Sequence, residues 1–343
     1  MNKPRWDDAP DMPPMEFPPE AVATRPKAVK KPNGEHPIEI PIPLGESIHA
    51  LIERDIPRPA MLCDPWATEG INLIVGRPKL GKTTLARQKM VAAAIAGDYL
   101  DSKFPEAVKC AFLSLEEGEL LCRSKFMECG FPEAALASIQ SFFEWPRGDS
   151  GVNLLDRYLF ANPEVKYVCI DSLTRFRVIP DVRTPAFMAD YEAVNQLHEM
   201  SKKHPGVCID IVHHARKSKS DDPMDDVSGT YGLTAAADCI TVLRTHADGA
   251  VMYVYSRLWD REENQYSIRR SGRKTWEMIG VHLDITDEQK QAFQFVADAG
   301  ISGATGKELS EKLGITPQSA WGRLDGLLEK GLVVKRFGRC FKK

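Results

Sequence analysis

Nine consecutive residues, Gly76-Arg77-Pro78-Lys79-Leu80-Gly81-Lys82-Thr83-Thr84, fit the spacing G-x-x-x-x-G-K-[ST]. The chemistry open to such a run is phosphate binding. Backbone N–H groups of a loop that opens onto a helix N-terminus form a concave donor surface matched to phosphate charge. Gly76 and Gly81 allow the tight path, Lys82 is spaced to bridge the β- and γ-phosphates, and the Thr83 hydroxyl to ligate Mg²⁺. An apolar run at 71–75 precedes the loop and helix formers fill 85–96, so strand, loop and helix come in the order the motif needs. A chance Gly-rich turn is the weaker reading, and the chain is expected to bind a nucleoside triphosphate, ATP, with Mg²⁺.

Three further stretches could serve the same chemistry. A buried-type strand at 108–115 ends in Glu116-Glu117, and a carboxylate at a strand end beside the phosphate loop can meet the water that attacks the γ-phosphate. The alternative places both glutamates in the first turn of the next helix, with Leu120, Leu121 and Phe126 on one face; that reading suits Glu117, and catalysis suits Glu116. The apolar run 165–170 ends in Asp171, the look of a Walker B segment whose carboxylate holds Mg²⁺ through a water opposite Thr83. A strand at 206–212 ends in His213-His214. Adjacent side chains on extended backbone point opposite ways, and no Cys/His cluster follows, so a γ-phosphate sensor is favoured over a metal site. Arg257 closes a later strand; it could be an arginine finger for a neighbouring subunit or a surface charge, and spacing alone favours the latter.

The elements that must position these residues read as an α/β chain. Strands alternate with helices at about 152–160 and 185–202, then come strands at 239–243, 251–255 and 265–268 whose alternation suggests antiparallel edges. Residues 1–45 are proline-rich, with Lys27, Lys30 and Lys31 as a small basic cluster, and predict a disordered arm. Residues 216–227 are charged in both signs and predict a mobile loop. The 343 residues carry a formal charge of −3, so any nucleic acid must be met by local patches. Eight scattered cysteines without a C-x-x-C pair suggest reduced core thiols in a cytosolic protein, and neither a signal peptide nor a membrane-spanning run is evident.

Taken in order, the phosphate loop, Leu113-Ser114-Leu115-Glu116-Glu117, Ile170-Asp171-Ser172-Leu173, Val212-His213-His214-Ala215-Arg216-Lys217 and the run from Gly229 to Asp238 resemble the RepA-like hexameric replicative helicases of plasmids and phages. The resemblance spans about residues 48–280. It implies a RecA-like P-loop core with a mostly parallel sheet over residues 46–281, in the cytosol of a bacterial host. It implies that Glu116 activates water, Asp171 serves Mg²⁺, His214 reads the γ-phosphate with His213 as fallback, and Arg257 acts in trans with Arg261 as runner-up. Arg216, Lys217 and Lys219 would touch single-stranded DNA in the channel of a hexameric ring. Asp221, Asp222, Asp225 and Asp226 depart from that pattern by making the loop net acidic.

Residues 282–343 form a separate unit. A helix at 287–299, a capping box at Thr305 and Glu308, an N-cap and first-turn proline at Thr316-Pro317, and a hairpin at 332–341 resemble a winged helix-turn-helix. Arg323 lies on its exposed face, with Lys335, Arg336, Arg339, Lys342 and Lys343 on the wing and tail, a local basic footprint for duplex DNA. Docking to a replication or recombination protein is the competing use. The expected activity is that of an ATP-driven, ring-forming DNA motor, a replicative helicase; the alternatives are a recombination mediator or loader and an ATP-switched DNA-binding regulator.

Overall fold

The computed structural model describes residues 45–180, 185–215, 220–227, 231–247, 249–258, 264–272, 274–282 and 285–343. The chain divides into two compact units, Met1–Pro57 and Arg58–Lys343. In the first, helix α1 (Ile48–Glu53) is capped by the Ser47 hydroxyl on the Ala50 N–H and buries none of its residues. The expected N-terminal arm, Arg261, and the loop residues Arg216, Lys217 and Lys219 lie outside the described residues.

The second unit is built on a nine-stranded sheet. Its strands are β1 (Gly70–Gly76), β2 (Lys109–Ser114), β3 (Ile139–Phe142), β4 (Val165–Asp171), β5 (Cys208–His214), β6 (Cys239–His246), β7 (Gly249–Ser256), β8 (Gln265–Arg270) and β9 (Trp276–Val281). They lie in the order β9-β8-β7-β6-β1-β5-β4-β2-β3. The six from β6 to β3 are parallel, and β7, β8 and β9 extend the sheet antiparallel. Continuous apolar runs suit strands covered on both faces, and the side chains divide by the two-residue period. Ile74, Phe112, Cys169 and Val212 join one apolar cluster, and Ile71, Leu73, Val75, Val168, Ile170 and Ile211 the other. Helix α2 (Lys82–Ala94) covers the first face through Leu85, Ala86 and Met90, joined there by α3 (Glu119–Cys129) through Cys122 and Phe126; α4 (Asp149–Ala161) and α5 (Ala186–Ser201) cover the second through Leu155, Leu159, Val194 and Leu197. This is the architecture of a RecA-like P-loop core.

Three sequence readings need correction. Helix α3 buries Cys122 and Cys129, leaving Leu120 at 80% exposure, so its leucines do not face the core. Glu117 precedes the Gly118 cap and pairs with buried Arg87 instead of resting in the helix's first turn. Residues 220–227, predicted as a mobile loop, hold a 3-10 turn at Pro223–Asp226, capped by Asp222. Strand β9 had no counterpart in the periodicity, because its exposed edge alternates around a single buried residue, Trp276.

The C-terminal elements α6 (Asp287–Ala299), α7 (Gly306–Leu313), α8 (Pro317–Glu329), β10 (Val333–Arg336) and β11 (Arg339–Lys342) close on a cluster of their own around Val296, Leu309, Leu324 and Leu327. Thr286 with Gln289 and Thr305 with Glu308 form capping boxes, and Thr316 caps α8. Ala304 bridges Cys340, adding a third short segment beside the hairpin. No helix among the described residues is long and apolar enough to cross a membrane.

Under α2 the core contains charge. Lys89 Nζ lies 2.6 Å from Asp210 Oδ2 and donates to the Trp66 carbonyl at 2.8 Å, while the Tyr167 hydroxyl donates to Asp210. Removing one partner of a buried pair strands the other charge away from water. Asp210→Ala should therefore cost about 3–5 kcal/mol in urea unfolding. Lys89→Met combined with Asp210→Leu and Tyr167→Phe should recover most of it; a combined variant as unstable as the single one would count against this account.

Candidate functional site

Parallel pairing brings the chemical residues to one edge. Gly76, which ends β1, pairs with His214 of β5 on one side and Leu243 of β6 on the other. Asp171 at the end of β4 pairs with Ser114 at the end of β2, and the N–H groups of Leu115 and Glu116 both donate to the Asp171 carbonyl, at 2.7 and 3.2 Å. Phosphate loop, Glu116, Asp171 and His214 thus share the carboxyl edge, where open α/β sheets bind ligands.

In the loop, Gly81 takes the left-handed conformation at φ 100° and caps α2. Lys82 Nζ donates to the carbonyls of Gly76 at 2.8 Å and Arg77 at 3.0 Å, and lies 3.3 Å from His214 Nδ1. An ammonium can only donate, so Nδ1 accepts and the imidazole proton sits on Nε2. Nε2 is 3.3 Å from Glu116 Oε1, and that same oxygen accepts the Ser172 hydroxyl. Lys82, His214, Glu116 and Ser172 form one chain of hydrogen bonds. His213 turns to the opposite face, 3% exposed, and burial lowers its pKa to about 4. Of the two histidines, His214 is the one at the site.

Electrostatics separates the two carboxylates. Glu116 is lowered to about 2, first by its bond from His214 and then by Ser172 and Lys82 against the opposing effect of burial. Asp171 is raised to about 6, chiefly by burial. Lys82 is lowered by its own desolvation, countered by Asp171 and Glu116. Asp171 fits a cation: Thr83 hydrogen-bonds it, and its Oδ1 is buried with no hydrogen-bond partner, a full charge with an unmet lone pair. Among the described residues no cluster of three His, Cys, Asp or Glu side chains could hold a metal alone. Thr83 and Asp171 would hold Mg²⁺ together with phosphate oxygens and water, the sparse protein ligation usual for this ion.

The AAA domain family (AAA_25) matches residues 41–220, more than half of the chain. The protein belongs to the AAA domain family. With its strand, phosphate loop and helix in place, this AAA domain is a P-loop ATPase. No curated protein matches the sequence. Among solved structures it is similar to the KaiC-like protein PH0186 of the hyperthermophilic archaeon Pyrococcus horikoshii OT3. They share 18% identity over 63% of this chain and 93% of that one, at a TM-score of 0.41.

Not every candidate joins the site of this AAA domain. Arg257 follows β7, whose last residue pairs with Cys239 at the start of β6, so it stands at the sheet edge opposite the phosphate loop. Its N–H donates to Asp238 and its guanidinium to the Ala235 carbonyl. Among the C-terminal elements, Arg323 reaches Gln291 at 3.5 Å, Lys335 Nζ lies 4.5 Å over the Trp321 ring, and Arg336 is exposed beside Phe337 at the hairpin tip. Arg339 holds Glu308 with two contacts of 2.8 Å, so it staples the fold instead of facing a ligand.

Sequence reasoning missed several contributors. Trp276 Nε1 donates to the Gly81 carbonyl at 3.1 Å, its backbone is bonded both ways by the Gln88 amide, and the Arg270 guanidinium stacks on its ring at 4.1 Å. A Cβ on Gly81 would collide with Arg270. Only the fold brings β8 and β9 over the loop. Ser172 was within reach, as the hydroxyl next to Asp171.

Because the folded protein holds the Asp171 proton up to about pH 6 and an unfolded aspartate releases it near 3.9, stability falls as pH rises through that window. Asp171→Asn should gain thermal stability over the parent progressively from about pH 4 to 6 and keep a constant lead above. Melting curves in chelator without nucleotide measure this, and a lead independent of pH would refute the assignment.

Proposed function

We propose that this AAA domain protein is an ATP-driven DNA motor that works as a ring, most closely a replicative helicase moving on single-stranded DNA. The observation that carries the reading is the position of Arg257. It lies at the far edge of its own sheet, so it can complete an active site only by meeting the phosphate edge of another copy. Helix α3, which follows Glu116 directly, leaves Leu120, Leu121 and Met127 exposed, an apolar face that a neighbouring copy could cover.

Lys82 and Glu116 find partners within the site. Lys82 rests on loop carbonyls, and His214 and Ser172 hold Glu116 as a strongly stabilised carboxylate, a poor base. Phosphates entering the loop compete for Lys82 and His214. Once His214 turns to phosphate, Glu116 loses the largest influence that depresses its pKa, keeps the Ser172 hydroxyl, and becomes a better acceptor for the proton of the attacking water. Bound Mg²⁺ would supply charge neutralisation at the phosphates, with Thr83 and Asp171 as its protein ligands. Arg270 and Trp276 roof the loop beside Gly81 and would bound the nucleotide on that side. The C-terminal unit, read as a winged helix, would offer Arg323 and Arg336 to duplex DNA, with Lys335 more constrained by Trp321.

Mixing variants tests the shared site. Lys82→Ala and Arg257→Ala should each lower ATP turnover by at least about a hundredfold. An equimolar mixture assembled together should recover about a quarter of the parental rate, because one interface in four pairs an intact Lys82 with an intact Arg257. Full turnover by Arg257→Ala, or by a monomer, would defeat the ring. Unwinding of a forked duplex by the parent, lost in Lys82→Ala, supports a helicase; DNA-stimulated hydrolysis without unwinding would favour a mediator or loader. Sequence-specific duplex binding that disappears on removal of residues 282–343 would favour the regulator.

A further inference from the structure

Arg244 of β6 makes an unusual set of contacts. Its Nε donates to Asp226 Oδ2 at 2.7 Å, its Nη2 to the carbonyls of Ser220 at 2.7 Å and Asp222 at 2.9 Å, and its Nη1 to the Asp221 carbonyl at 3.2 Å. Four of the five guanidinium protons are thereby engaged, a geometry lysine cannot reproduce. The ion pair is largely enclosed, with side-chain exposures of 12% and 10%. The segment it grips is tied internally as well. The Ser220 N–H donates to Asp226 Oδ1 at 3.2 Å, the Ser220 hydroxyl to Asp225 Oδ2 at 2.8 Å, and Asp222 accepts the Met224 N–H at 2.8 Å. Three of the four aspartates that make this stretch acidic are therefore spent on holding its shape.

The register gives this clamp its significance. Leu243, the residue before Arg244, pairs with Gly76, and so does His214 on the other side. The chain leaves the sheet just after His214, which touches Lys82 and Glu116, and residues 220–227 are fastened by Arg244 to the strand on the opposite flank of the phosphate loop. Residues 220–227 are thus tied to β6 on one flank of Gly76, while His214 ends β5 on the other. We propose that Arg244 is a positioning residue that couples nucleotide state to the segment following His214, and so couples nucleic-acid binding to ATP turnover. Its second effect is electrostatic: holding Asp226 inward keeps a carboxylate away from a surface that must approach DNA phosphates.

The coupling to DNA rests on the motor reading above, so the experiment has two arms in the full-length protein. In the first, Arg244→Ala should keep DNA-free ATP turnover within about twofold of the parent, while stimulation by a single-stranded oligothymidylate falls about tenfold. Arg244→Lys should restore only part of the stimulation, and Asp226→Asn should lose less than Arg244→Ala because the carbonyl contacts persist. In the second arm, amide hydrogen exchange is compared with and without Mg²⁺ and a non-hydrolysable ATP analogue. Peptides covering 220–227 should respond to nucleotide in the parent and not in Arg244→Ala, while peptides from the phosphate loop respond in both. Unchanged stimulation and an unchanged exchange response in Arg244→Ala would overturn the proposal. So would an equal loss of DNA-free and stimulated turnover, or misfolding of Arg244→Ala with Arg244→Lys indistinguishable from the parent, since each marks a structural brace. If the parent itself shows no DNA stimulation, the motor reading fails, and the exchange arm alone decides whether Arg244 couples.

Discussion

The parallel register around Gly76 constrains everything near the phosphate loop. In a parallel ladder each strand's end is fixed by its neighbours, and Gly76 is held between His214 and Leu243 at once. A one-residue slip of β5 would exchange His213 for His214 and turn every side chain of that strand to the other face. The apolar alternation of Cys208–His214 forbids this, because Ile209, Ile211 and His213 belong to one covered face and Cys208, Asp210 and Val212 to the other. Which histidine reaches Lys82 and Glu116 is thus decided by the packing of the strand's own core residues.

The same economy governs charge. Glu116 and Asp171 are both carboxylates at strand ends, joined through the Asp171 carbonyl, yet environment drives their acidities apart. Donors surround the first, whereas burial isolates the second. One is held ready as an ion, and the other carries an unmet demand for a cation. Adjacent strand ends thus present two carboxylates of opposite electrostatic character.

Much of this was legible from the chain. The phosphate loop announces itself because glycine, lysine and threonine at fixed offsets have few other uses, and Glu116, Asp171 and His214 were legible as residues that end apolar runs. Legibility fails where contacts are distant in sequence. Trp276 and Arg270 over Gly81, and Arg244 on residues 220–226, depend on which strands become neighbours, and no local pattern encodes that. It fails too where a local rule has two outcomes: the leucines of α3 looked like a core face, but Cys122 and Cys129 fill that role. The acidic stretch misled for a related reason, since composition counts aspartates without revealing that they serve as caps and as partners of one arginine.

The bond from the Trp276 indole to the Gly81 carbonyl joins positions 195 residues apart. During synthesis the phosphate loop emerges early, but its roof is among the last parts of the sheet to be made. A nascent chain stalled before residue 276 carries Lys82, Glu116, Asp171 and His214 with the loop still uncovered. The covered form of the loop is therefore acquired only once Arg270 and Trp276 have been made.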